Sequence, residues 1–146
     1  MTAQPEGVRG PRAGCGAAIV AGGRLLLLRR LTEPEAGCWG LPGGKIELFE
    51  TAESAMRREV AEELGIVVGE AELLCCVDQI DRAAGTHWIA PVFLVRRFTG
   101  TPSNIEPAKH DGPAWFPLDA LPAALTTPTR AALAALAALA GRRDIG

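Results

Sequence analysis

The segment "GKIELFETAESAMRREVAEELGI", Gly44 to Ile66, decides how this chain is read. Its second half carries the marks of a helix. Thr51 suits an N-cap, Glu53 falls in the first turn, and Ala52, Ala55, Met56, Val60 and Leu64 form an apolar stripe that ends at Gly65. That helix poses an electrostatic problem. With Glu59 at zero and about 100° per residue, Glu62 falls near roughly −60° and Glu63 near roughly +40°, so the three carboxylates share one side. Like charges at this spacing repel. The face is either simply solvated or built around a strong positive charge. Hard oxygen donors gathered in this way suit Mg²⁺ or Mn²⁺. A dication there would remove the repulsion, polarise a phosphoryl oxygen and lower the pKa of an attacking water.

Upstream, "LPGG" is a sharp turn, and "CGAAIVAGGRLLLLRR" from Cys15 to Arg30 reads as a hairpin turning at Gly22-Gly23. Downstream, strands are expected from about Ala71 to Gln79 and from His87 to Phe98, joined by "DRAAG". A long loop, "TGTPSNIEPAKHDGP", leads to a short strand at Trp115 and Phe116. "PTRAALAALAALAGRR" closes the chain as an Ala-rich helix, with Leu133, Leu136 and Leu139 on its packing side and Gly141 as its stop. The element order predicts an α/β fold, a mixed sheet flanked by helices. The 146 residues suffice for one domain, placed at 13–141 between a flexible tail at 1–12 and a short tail at 142–146.

The formal net charge of −2 argues against a general nucleic-acid binder, while local arginines could still hold a small anion. Cys15, Cys38, Cys75 and Cys76 contain no CxxC pair, so buried thiols in a reducing cytosol are expected. The opening "MTAQPEGVRGPRAG" has no apolar signal region, and no apolar run approaches the roughly 20 residues of a membrane span. A cytoplasmic protein with no membrane partner is the expectation.

Gly44, Glu50, Arg58, Glu59, Glu62, Glu63 and Gly65, with aliphatic Val60 and Ile66, fit the pattern GX5EX7REUXEEXGU. This is the signature of the Nudix hydrolases, and the chain resembles that family. The "WGLPGG" lead-in, the hairpin before it and the W-F-x-L-x-x-L-P segment from Trp115 to Pro122 are also similar, so the resemblance runs from Gly14 to about Ala140. It implies an α/β/α sandwich with the box as a loop–helix–loop, and divalent-cation-assisted cleavage of a nucleoside diphosphate linked to another moiety. Glu59, Glu62 and Glu63 would then be metal ligands, helped by the carbonyl of Gly43. Arg58 would orient Glu59 through a bidentate pair, and Glu50 would support the loop or the outer metal shell. The family often places its catalytic base on the loop corresponding to Asn104–Pro113. Here Glu106, His110 and Asp111 are the candidates, with Glu106 and His110 foremost, Lys109 stands about where some relatives carry the acid, and a box glutamate is the remaining option.

Around the box, the substrate-binding candidates are Arg29, Trp39, Gly43, Gly44 and His87. Strand alternation allows at most one of Arg29 and Arg30 to point into the site. Trp39 either stacks on a base or packs under its loop, while Trp88 and Trp115 read as core and Arg96 and Arg97 as surface. "NIEPAKHDGPAWFPLDALP" resembles a segment of Nudix pyrophosphatases acting on nucleoside or pterin triphosphates. Lys45 and "ELFE" depart from the residues usual there. The implied reaction converts a triphosphate to a monophosphate and pyrophosphate. The alternatives are an ADP-ribose or ADP-sugar pyrophosphatase and, in another class, a non-catalytic nucleotide-sensing module. The apolar C-terminal helix suits a homodimer as well as a monomer.

Overall fold

The N-terminal hairpin sets the scaffold. In the structure, a computed structural model that describes residues 10–145, β1 (Arg12–Ala21) turns at Gly22-Gly23 into β2 (Arg24–Arg30). The turn glycines have φ of 58° and 72°, the left-handed pair whose twist matches that of the flanking strands. Then follow β3 (Trp39–Gly40), β4 (Gly43–Lys45), α1 (Ala52–Leu64), β5 (Val67–Val68), β6 (Ala71–Asp81), β7 (Thr86–Val95), β8 (Phe98–Thr99), β9 (His110–Pro117) and α2 (Thr127–Ile145). The sheet runs β3-β2-β1-β7-β6, with β4 added to β1 and β9 to β2, while β5 and β8 form a separate pair. β1 and β7 are parallel and their neighbours antiparallel, so the sheet is mixed.

Two helices cover its two faces, which explains why β2 reads as four leucines in a row. Ala17 and Ile19 of β1 with Leu26 and Leu28 of β2 pack on Met56, Val60 and Leu64 of α1. Their alternates, Ala18, Leu25 and Leu27, pack with Val77, Val92 and Ala132 on the α2 side. A central strand buried on both faces is continuously apolar, and each fully buried leucine contributes about 1.5–3 kcal/mol.

The structure departs from the sequence expectations at several points. The first strand already includes Arg12, and residues 1–9 of the expected tail lie outside the described residues. The β7 strand stops at Val95, and Phe98 pairs separately with Val68. The strand expected only at Trp115 and Phe116 begins at His110, because Asp111 and His110 find backbone partners in Arg29 and Arg30. A register shift there accommodates Gly112-Pro113, since proline has no N–H for the ladder. Gly141 does not end α2, which continues through Ile145. A glycine stops a helix by turning left-handed, and Gly141 has no positive φ. Cys76, expected among buried thiols, is exposed.

Candidate active site

The box helix is held at both ends by its own sequence. Thr51 Oγ1 accepts from the Ser54 amide (3.1 Å), a cap worth about 1 kcal/mol. Gly65, at φ 69°, closes the other end in the left-handed conformation. Between them, Arg58 ties the motif together. Its Nε and Nη2 donate to the two oxygens of Glu50, each at 2.8 Å, and Nη2 also reaches the Lys45 carbonyl at 2.9 Å. Nη1 donates to Glu59 Oε1 at 2.9 Å and, more loosely, to Glu62 Oε2 at 3.3 Å. The bidentate partner is therefore Glu50, and Glu59 receives a single bond. The pair draws the Glu50 carboxyl down to about 2.

Glu63 is 4% exposed although charged residues are seldom buried unpaired. Its Oε1 accepts from the Gly43 amide at 3.3 Å, and its carboxyl meets that of Glu59. Desolvation first, then the Glu59 charge, push Glu63 up to about 9. Glu59 is raised too, mainly by burial, against the opposing pull of Arg58. The glycines make this proximity feasible. A Cβ on Gly44 would stand 2.5 Å from Glu59 Cδ, and one on Gly43 would run into the Cys15 carbonyl.

Among the described residues, no three His, Cys, Asp or Glu side chains are drawn together closely enough to hold a metal ion as they stand. Glu62 is the outlier: its side chain is 53% exposed and leans on Arg58. The chemistry of the pair nevertheless fits a dication. Two carboxylates share a desolvated space with one peptide N–H and one guanidinium already divided among three glutamates, so positive charge is lacking there. Oxygen donors alone suit a hard cation, and the contact that holds Glu62 to Arg58 is long and exposed.

A cleft of about 1190 Å³ opens beside Glu63, Gly43 and Gly44, where β1 passes from pairing with β4 to pairing with β2. Of the two arginines ending β2, Arg30 lines it; the expected Arg29 is exposed and pairs with Asp111 at 3.4 Å. Trp39 does not line the cleft, and its ring packs edge-on against Phe116 at 4.9 Å. His87 is likewise absent from the lining, because β7 presents Trp88, Ala90 and Val92 to the cleft and alternation turns His87 to the other face. Trp88, read as core, is a cleft residue, whereas Trp115 packs against the α1-side core and Phe98.

His110 lines the cleft from the start of β9, with Nδ1 buried and without a hydrogen-bond partner among the described residues. Burial and the Arg30 charge lower its pKa, favouring neutral imidazole. Glu106 sits near enough for its charge to raise both Glu59 and Glu63, and it pairs with Lys109 at 2.9 Å. Asn104 Nδ2 donates to the His110 carbonyl at 2.7 Å and so closes this loop on itself. Sequence reading missed Arg12, Gln79 and Trp88 as cleft residues and favoured Arg29 over Arg30, since which side chains share the cleft depends on strand register.

The NUDIX domain family model matches residues 10–136. The crystal structure of a MutT NUDIX hydrolase from Burkholderia pseudomallei is 56% identical, with a TM-score of 0.84 over 86% of this chain and 97% of that one. A human 8-oxo-dGDP phosphatase is 35% identical over 109 residues, 73% of this chain and 31% of its own. An ADP-ribose pyrophosphatase of Methanocaldococcus jannaschii is 39% identical over 72 residues, 49% of this chain and 43% of its own. The chain thus spans less than half the length of these two curated relatives. The matched family model covers the sheet, the box helix and the cleft together, and the chain belongs to the Nudix family.

Proposed function

We propose that this protein is a pyrophosphohydrolase that cleaves a diphosphate linkage in a nucleoside triphosphate or related nucleotide, yielding monophosphate and pyrophosphate. The observation that carries the reading is buried Glu63 lining an open cleft beside half-buried Glu59, with Arg58 bracing Glu59 from behind. Nudix hydrolases generally depend on a divalent metal, and Mg²⁺, or Mn²⁺, is the cation assigned here. Glu59, Glu62, Glu63 and the Gly43 carbonyl would hold it. The bound cation would supply Lewis-acid polarisation and charge neutralisation at the phosphoryl group.

The chain's own residues do the rest. Arg30 and Lys45, both lining the cleft, neutralise phosphate oxygens, which is where phosphoryl transfer needs electrostatic help. Glu106 takes the proton of the attacking water, a role supported by its closeness to the pair. His110 is the second candidate for that role. Arg58 fixes Glu59 and the loop through Glu50. The four free cysteines fit a cytoplasmic setting, and no helix among the described residues is long and apolar enough to cross a membrane.

The test is a hydrolysis panel run with Mg²⁺ and with Mn²⁺, comparing wild type with Glu62→Gln, Glu106→Gln and His110→Gln. Deoxy- and ribonucleoside triphosphates, oxidised guanine nucleotides and ADP-ribose make up the panel. Metal-dependent pyrophosphate release, abolished by Glu62→Gln, is expected. Preferential cleavage of ADP-ribose would move the protein to the sugar-nucleotide class. Nucleotide binding without turnover would favour a sensing module.

A further inference from the structure

The far end of the cleft has no part in the chemistry above. There β1, β7 and β6 run side by side, and register decides which side chains share a face. Arg12 stands opposite Trp88 across β1 and β7, and Gln79 stands opposite Trp88 across β6 and β7. Directly opposed residues of adjacent strands project to the same side, and all three line the cleft. The Arg12 guanidinium lies 5.6 Å from the indole centroid. Gln79 is half-buried, yet its amide makes no hydrogen bond among the described residues.

Between this end and the carboxylates the floor is bare. It consists of Gly14 and Gly16 on β1 and Ala90 on β7. A Cβ on Gly14 would already stand 3.4 Å from the Trp88 ring and 3.3 Å from the Gly44 carbonyl. The aromatic end and the box are therefore joined by a strip floored by two glycines and an alanine, where no large side chain stands on Gly14 or Gly16.

We propose that Trp88 and Gln79, backed by Arg12, read the base of the nucleotide and favour a purine. The proposal rests on the nucleotide reading above and names its substrate class. An indole offers a flat apolar surface whose stacking grows with the area of the base, so a two-ring base gains more than a one-ring base. A carboxamide presents a donor and an acceptor side by side, the pairing that glutamine makes with the N6–N7 edge of adenine. Arg12 polarises the indole and layers its guanidinium against it. Neither the Trp39 side chain nor His87 reaches this end of the cleft.

Calorimetric titration of AMP, GMP, CMP and UMP into wild type, Trp88→Leu, Trp88→Phe and Gln79→Leu tests this, with inorganic triphosphate as the base-free probe. Thermal melts establish that each variant is folded. Wild type is expected to bind the purine monophosphates about tenfold tighter than the pyrimidine ones, a gap of about 1.4 kcal/mol. Trp88→Leu should remove most of that preference, Trp88→Phe should retain part of it, and Gln79→Leu should weaken purine binding about three- to tenfold. Inorganic triphosphate should bind all four proteins alike. Equal affinity of wild type for the four monophosphates, no measurable binding of any, or a preference surviving in both leucine variants would overturn the proposal. Turnover of the matching triphosphates separates the two readings. Hydrolysis without base preference leaves the hydrolase standing and removes this inference, whereas purine preference without hydrolysis does the reverse.

Discussion

Replacing Glu63 by glutamine should stabilise the metal-free protein while abolishing its response to divalent cations. In the folded chain Glu63 is 4% exposed and its carboxyl is pushed from the ordinary 4.5 up to about 9. Between those values the folded state holds a proton that the unfolded state has released. Stability is therefore greatest below about 4.5 and falls by about 1.4 kcal/mol per pH unit until the folded value is passed. From about pH 5 to about pH 8 the loss attributable to this group reaches about 4 kcal/mol, and about half that if Glu59 takes up part of the titration. Glutamine keeps an oxygen for the Gly43 amide and cannot ionise. Thermal melts in chelator from about pH 5 to about pH 8 should show wild type losing stability steeply and the Glu63→Gln variant much less, the two converging at the acid end. Added Mg²⁺ should raise the melting temperature of wild type alone, because ligand binding to the folded state stabilises it. Parallel pH curves for the two proteins would refute the assignment of a buried, reluctantly ionised carboxylate at this position.

Arg58→Lys should cost at least tenfold in turnover and destabilise the protein by about 1–2 kcal/mol, since lysine cannot make the paired bonds to Glu50 and the reach to the Lys45 carbonyl at once; steady-state kinetics and denaturant titration measure both. Gly44→Ala should lower activity about tenfold or more while leaving the secondary structure unchanged by circular dichroism, because the added methyl occupies the place of the Glu59 carboxyl. Phe49→Gly should raise stability by about 1 kcal/mol without loss of turnover, since Phe49 has φ 70° and is 96% exposed, so the substitution relieves a left-handed backbone and removes no packing.

The box helix and its caps were legible in the sequence because every signal is local. Thr51, Gly65 and the apolar stripe lie within a few residues of one another, and each acts through its own turn of backbone. The N-terminal hairpin was legible for the same reason. Local signals failed where long-range pairing decides. Nothing in "KHDGP" announces that His110 joins a strand, since its partner is Arg30, far upstream. Arg29 and Arg30 could be told apart only by the face each presents, as could His87 and Trp88, and that depends on neighbouring strands. The bidentate Arg58–Glu50 pair was missed because it bridges the helix to a loop whose path the spacing leaves open. Helical spacing places the three carboxylates on one arc, but burial splits it, with Glu63 inside and Glu62 turned to solvent.

The most direct measurement of the central claim follows phosphorus-31 resonances of a purine nucleoside triphosphate incubated with the protein, first in chelator and then after Mg²⁺ is added in excess. The account predicts no change in chelator, then growth of monophosphate and pyrophosphate signals together on adding the cation, with the Glu63→Gln variant silent throughout. Turnover that is indifferent to the cation, release of orthophosphate in place of pyrophosphate, or full activity in the variant would contradict it.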